Sequence, residues 1–272
     1  MKIYLLSFCL LFSKLGYNQL LNHFKNSLNS PKKYYFSWGY HRAFYSNSNL
    51  HFRNINQNSN TDASGNYDFI IENAKAHDRA DLKYLKDPRN ITIPQFNASI
   101  GFVSKYKNLG FEINYNHAKY VVDDNQHLKI KGQLFGKTID STITLGSNYM
   151  HIEHTDGANF WMGNITKSFH FKTKLNWLHF QNMIKIGGGM CIPRTDITFL
   201  GKQTNNKFHI AGYVFGIENG LQIHLGKHFF IENSYKYAFA YYTNAKVSSN
   251  KNAFLTHHFN SFLLFLNLGF KW

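Results

Sequence analysis

Cysteine is nearly absent from this 272-residue chain, which has two, Cys9 and Cys191. With Cys9 inside an N-terminal apolar run, Cys191 is left alone, which excludes an internal disulfide framework and a thiolate metal site. Proline is equally scarce, at four residues. No apolar run reaches the roughly 20 residues that a membrane-spanning helix needs, and mean hydropathy is −0.38. Acidic side chains are few, 15 against 30 Lys and Arg, for a formal charge of +15. The basic residues are spread along the chain and do not form one stripe. They therefore argue for anionic lipid or lipopolysaccharide as partner and against nucleic acid. The glycine run Gly187-Gly188-Gly189 has no Lys-Ser or Lys-Thr pair after it, so it is no nucleotide loop. No cofactor is implied and no metal site is assigned.

What the chain does have is aromatic side chains, 17% of its residues with 26 Phe and 17 Tyr. Abundant aromatics with low mean hydropathy suit a membrane β-barrel. There, every second strand residue faces away from lipid, and aromatics gather at the two interfaces.

The N-terminus opens with Met1-Lys2, a ten-residue apolar run to Phe12 and a small polar stretch to Gln19. That order is expected of a secretory signal peptide, here residues 1–18, cleaved near Gly16 to Asn18. A periplasmic segment (19–33) and an outer-membrane barrel (34–272) are expected to follow.

At the other end Phe262, Leu264, Leu266, Leu268, Phe270 and Trp272 alternate with Leu263, Phe265, Asn267, Gly269 and Lys271. A strand puts the first set on one wholly apolar face. This stretch resembles the C-terminal strand of bacterial outer-membrane barrels. The resemblance implies recognition by the barrel-insertion machinery through the terminal aromatic.

Alternation marks eight strands, near residues 34–45, 95–106, 109–122, 160–171, 177–192, 208–224, 228–243 and 254–272. The connections between them run long, short, long, short, long, short, long. Short turns at the end that holds both termini, with long loops opposite, are the signature of an outer-membrane barrel. The expected fold is all-β, a closed antiparallel up-and-down transmembrane barrel. It has eight strands, or ten if residues 128–154 add a hairpin to the wall. The Tyr35–Tyr40 opening, Ile93-Pro94-Gln95-Phe96 and Glu153-His154-Thr155-Asp156-Gly157 resemble small outer-membrane barrels of the Bacteroidota type. That resemblance implies location and fold and assigns no activity.

An eight-stranded barrel is just wide enough to be filled by its own side chains. Glu112, Lys185, Glu218, Glu232 and Lys236 fall on inward parities. They are expected to pair as a lumen charge network, because a lone buried charge is costly. At the outer rim, His151, Glu153, His154 and Asp156 hold two imidazoles beside carboxylates. His151, His154 and Asp156 are the alternative catalytic set of a rim-sited lipid A or phospholipid hydrolase. Small barrels resembling lipid A deacylases set a His and a Ser two residues apart; here Thr155 and Asp156 follow His154, and that Ser is missing. Arg79, in His77-Asp78-Arg79, and Arg194 are candidate phosphate or lipid-headgroup ligands. His170, His257 and His258 are expected at the membrane interface. Three readings follow: a non-enzymatic envelope barrel that is structural or presents loops to a partner, the rim hydrolase, and a soluble secreted lipocalin-like β-protein.

Overall fold

The computed structural model describes residues 19, 21–54, 65–154, 156–171, 173–175, 177–248, 250 and 252–272. The expected signal peptide and Thr155 lie outside them. Seventeen strands occur among the described residues. The first four are β1 (Lys32–Tyr45), β2 (Ser48–Asn54), β3 (Tyr67–Ala74) and β4 (Ala76–His77). Then come β5 (Phe96–Ser104), β6 (Leu109–Asn116), β7 (Tyr120–Val122), β8 (His127–Leu134), β9 (Lys137–Thr144) and β10 (Met150–His154). The last seven are β11 (Phe160–Phe171), β12 (Leu178–Cys191), β13 (Asp196–Phe199), β14 (Lys202–Asn205), β15 (Gly212–Leu225), β16 (Phe229–Lys246) and β17 (Ala253–Lys271).

Eight of them make the wall, in the order β1-β5-β6-β11-β12-β15-β16-β17, all antiparallel neighbours. The last strand pairs with the first from Tyr35↔Lys271 to Tyr45↔Ser261, which closes the barrel and leaves the wall no edge. Closure satisfies every strand's backbone groups within the wall, the condition for crossing hydrocarbon. No described helix is long and apolar enough to cross a membrane.

Alternation sets the two faces of the wall. On β17, Leu266 and Leu268 are 60% and 68% exposed on the outer surface, while Leu263, Phe265 and Asn267 are buried inside. Phe36, Ile100, Ile113, Ile165, Ile186, Phe215, Ile217 and Tyr237 continue the exposed outer face. Toward the long-connection end an aromatic row crosses from strand to strand. Tyr115 lies 4.7 Å from Trp161, and Tyr213 lies 5.4 Å from Tyr241 (ring centroids). The apolar face is interrupted at Asn182 and Asn219, whose side chains bond to each other at 2.6 Å, and at Asn233, which donates to the Phe265 carbonyl. At the terminal end residues 21–29 are helical, with Phe24 edge-on to Phe111 and Ser27 Oγ donating to the Leu109 carbonyl.

The long connections depart from the sequence reading. Residues 46–93, expected as a polar loop, contain β2 to β4 and two short 3₁₀ turns. The third strand, expected to run to Val122, ends at Asn116, and Tyr120–Val122 joins a second sheet. The hairpin at 128–154 does not enter the wall: β8 and β9 extend the sheet that β2 starts on the upper end of β17, which settles eight wall strands rather than ten. The second sheet has the order β14-β13-β10-β7-β4.

The two sheets pack an apolar core between them. Phe199 stacks within 5.6 Å of Phe52 and 6.1 Å of Phe69, and lies 4.9 Å from Tyr67. Ile71, Ile130, Met150, Ile152 and Ile197 complete it. The result is a folded β-cap at the end of the barrel opposite the termini. Isolated two-stranded hairpins are marginal in water, and burying an apolar face against a second sheet is what holds these ordered.

Candidate functional site

Two polar centres lie on the barrel axis, one in mid-lumen and one where the cap meets the barrel. In mid-lumen, Lys185 Nζ on β12 stands 3.0 Å from Glu112, 3.0 Å from Glu218 and 3.1 Å from Glu232. Lys236 Nζ on β16 is 3.1 Å from the other oxygen of Glu218 and donates to Asn114 and Asn116 at 2.8 Å each. The oxygens of Glu112 and Glu218 that Lys185 reaches also accept from Tyr35 OH at 2.8 Å and Ser234 Oγ at 3.0 Å, and the other oxygen of Glu232 accepts from Gln222 Nε2 at 2.6 Å. All five charged groups are buried. The structure thus gathers residues from β6, β12, β15 and β16 into one network. Burying these ions is costly, and short multiple bonds offset that cost. The network also fills the lumen.

Above it, His154 Nε2 faces His257 Nε2 at 3.2 Å. Their other ring nitrogens reach Thr195 Oγ1 at 3.0 Å and Ser48 Oγ at 3.4 Å. Tyr242 stacks on both imidazoles at 4.8 Å, and Tyr120 stacks on Phe259 at 4.5 Å. These residues come from β2, β7, β10, β16, β17 and the segment before β13, so they pin the cap onto the barrel. His257, expected at the interface, is instead buried inside. Its parity explains this, since 257 shares the inward register of 263, 265 and 267. That signal was present in the sequence, and the neighbouring His258 masked it.

The three alternative catalytic residues do not converge. His151 and His154 project to opposite faces of β10, as positions three apart on a strand must. His151 contacts Asp124 at 2.8 Å and Glu153 at 3.5 Å, His154 is sealed under the cap, and Asp156 is held by Arg194 at 2.5 Å. Both candidate phosphate-binding guanidiniums are engaged by carboxylates: Arg194 by Asp156, and Arg79 by Glu153 at 2.7 Å. The rest of the His77-Asp78-Arg79 motif is distributed likewise. His77 meets Asp123 and Asp78 meets Arg42, while nearby Asp81 meets Lys119. Among the described residues no group of three or more His, Cys, Asp or Glu is arranged to hold a metal. Cys191 is buried and unpaired.

The cap should be stable over a limited pH range. Its hydrogen bond with Glu153, aided by Asp124 and opposed by partial burial, raises His151 to about 9. The stabilisation this gives is full below 6.5 and is lost as pH climbs through 9. Burial pushes His154 down to about 3. The unfolded cap therefore takes up the proton first, and stability is lost as pH falls below 6.5. Protease resistance of the cap should peak near pH 6.5. His151→Gln should flatten the alkaline limb alone; an unchanged alkaline limb would show that this imidazole carries no linkage.

No family model matches the chain, and no curated protein matches it. Solved structures resemble it at low similarity. The outer membrane protein OprG from Pseudomonas aeruginosa is 11% identical over 89% of this chain and 97% of that one, with a TM-score of 0.39. Neisserial surface protein A is 11% identical over 89% and 99%, with a TM-score of 0.33. The outer membrane protease OmpT from Escherichia coli is 8% identical over 89% and 96%, with a TM-score of 0.35. The fold assignment rests on the strand pairing of this chain itself.

Proposed function

We propose that this chain is an integral outer-membrane barrel with a plugged lumen, which holds a folded β-cap at the cell surface for contact with lipid or an envelope partner. The observation that carries this reading is a closed wall with an exposed apolar outer face around a buried, fully paired charge network. A soluble lipocalin-like barrel would turn its apolar side chains inward, and here the mid-lumen is polar while Leu266 and Leu268 face out. The cap then lies outside, because the short turns and both described ends of the wall share the other end. On this reading residues 1–18 direct secretion, and β17 with the aromatic Trp272 that follows it addresses the insertion machinery. The role is non-enzymatic.

The test is envelope fractionation with electrophoresis before and after boiling, on the natural chain and on Leu266→Arg. The natural chain should require detergent for extraction and change mobility on heating. The arginine, placed on the outer face, should lower the stability of the inserted barrel by ~2–4 kcal/mol and cut its outer-membrane level severalfold. Recovery of the natural chain in the soluble fraction, or full tolerance of Leu266→Arg, would overturn the membrane reading.

A further inference from the structure

The end of the barrel that holds the termini opens into a cavity of about 690 Å³. Its ring consists of the lowest inward positions of the wall strands: Lys33 on β1, His170 on β11, His179 on β12, His224 on β15, His228 just before β16, and Lys271 on β17. Six neighbouring inward positions are thus all Lys or His. Lys227 adds a third lysine, and Trp177 and Trp272 flank the opening.

Among the described residues, no carboxylate side chain lines this cavity. Every described Asp and Glu lies elsewhere, either in residues 46–95, 117–159 and 192–211 at the opposite end or as Glu112, Glu218 and Glu232 in the mid-lumen network. That network is already bonded to Lys185 and Lys236. Among the described residues, no lysine or imidazole of the ring forms an ion pair with a carboxylate side chain, although Lys271 Nζ reaches Gln181 Oε1 at 3.4 Å.

The ring also holds an unused polar atom. His224 is 7% exposed and its ring lies 5.3 Å from that of Phe230. Its Nε2 is buried without a hydrogen-bond partner. A buried polar nitrogen without a partner costs free energy unless a ligand satisfies it. The ammonium groups of Lys33, Lys227 and Lys271, gathered at one mouth without a carboxylate side chain beside them, repel one another, and an anion bound among them relieves that repulsion.

We infer that the terminal-end mouth of the barrel is a binding site for a polyvalent phosphoryl anion, a phosphate monoester or pyrophosphate group, carried by a lipid headgroup or by a soluble molecule. Several donors converging from different strands suit a ligand with several charged oxygens better than a single carboxylate. Lysines and imidazoles supply point charges and N–H donors, and His224 Nε2 supplies the desolvated one. The site needs only the barrel mouth, so it can be read whether or not the chain resides in a membrane.

The experiment uses the folded protein in non-ionic detergent at pH 6.5 and low salt. Inorganic pyrophosphate is titrated calorimetrically in one arm and short-chain phosphatidic acid in the other, with short-chain phosphatidylcholine as the comparison lipid. Saturable binding of pyrophosphate identifies a soluble phosphoryl ligand; binding of phosphatidic acid alone, in preference to phosphatidylcholine, identifies a headgroup. In either case Lys33→Gln with Lys271→Gln should weaken binding tenfold or more, and His224→Phe should weaken it severalfold. The cap pair Lys129→Gln with Lys137→Gln should leave it unchanged. If a buried variant fails to fold, the exposed single variants Lys33→Gln and Lys227→Gln carry the comparison. Absence of binding in both arms, or an equal loss in the cap and mouth variants, would overturn the inference.

Discussion

Lys185→Met should be the most damaging single substitution in the barrel. It removes the one ammonium that reaches Glu112, Glu218 and Glu232. Two of these carboxylates would be left with neutral partners only, and Lys236 would remain on Glu218. Breaking a buried ion pair from one side strands a charge in low dielectric and typically costs ~3–5 kcal/mol. Urea unfolding of the detergent-folded protein should show a loss of that order, with the boiling-dependent mobility shift appearing at lower temperature. Adding Glu112→Gln to Lys185→Met should recover part of the loss, because Tyr35 and Asn164 still surround that position and one stranded charge is gone. If Lys185→Met is as stable as the parent, the network contributes packing alone.

Phe199→Ala should act on the cap and spare the barrel. The ring is buried among Phe52, Tyr67 and Phe69, where the two cap sheets meet. Truncating a buried Phe costs ~3–5 kcal/mol through lost transfer energy and the cavity left behind. That loss falls on a unit held to the wall through β2 and the His154–His257 junction. Limited proteolysis should therefore cut residues 46–95 and 117–159 rapidly while the heat-dependent mobility shift persists. Simultaneous loss of that shift would mean that cap and barrel unfold as one cooperative body, and that the lumen depends on the cap above it.

The wall strands were legible because a barrel strand has two environments and a period of two. In β6 the alternation of Leu109, Phe111, Ile113 and Tyr115 with Gly110, Glu112, Asn114 and Asn116 matches the two faces of the strand, and in β17 the pattern separates outward Leu266 from inward Phe265. Connection lengths then supplied the order of the strands around the wall. The cap was legible only in part, for the same physical reason. Short β-like pieces show in the sequence at residues 128–134 and 149–154, where β8 and β10 form, but other cap strands are as short as Tyr120–Val122 and lie among Asn-rich and Lys-rich stretches, where no period shows. They are strands because β17 extends beyond the wall and offers its edge at Ala253–Thr256 to His51–Asn54.

By itself the sequence determined which residues share a side, since side-chain alternation is a property of each strand alone. It placed Glu112, Lys185, Glu218, Glu232 and Lys236 on inward parities without stating which would touch. It showed neither the junction of His154 with His257 nor the ring of Lys33, His170, His179, His224, His228 and Lys271. Those groupings depend on the register between strands and on closure of the sheet. Both are set by backbone pairing across scores of residues, so only the tertiary structure decided them.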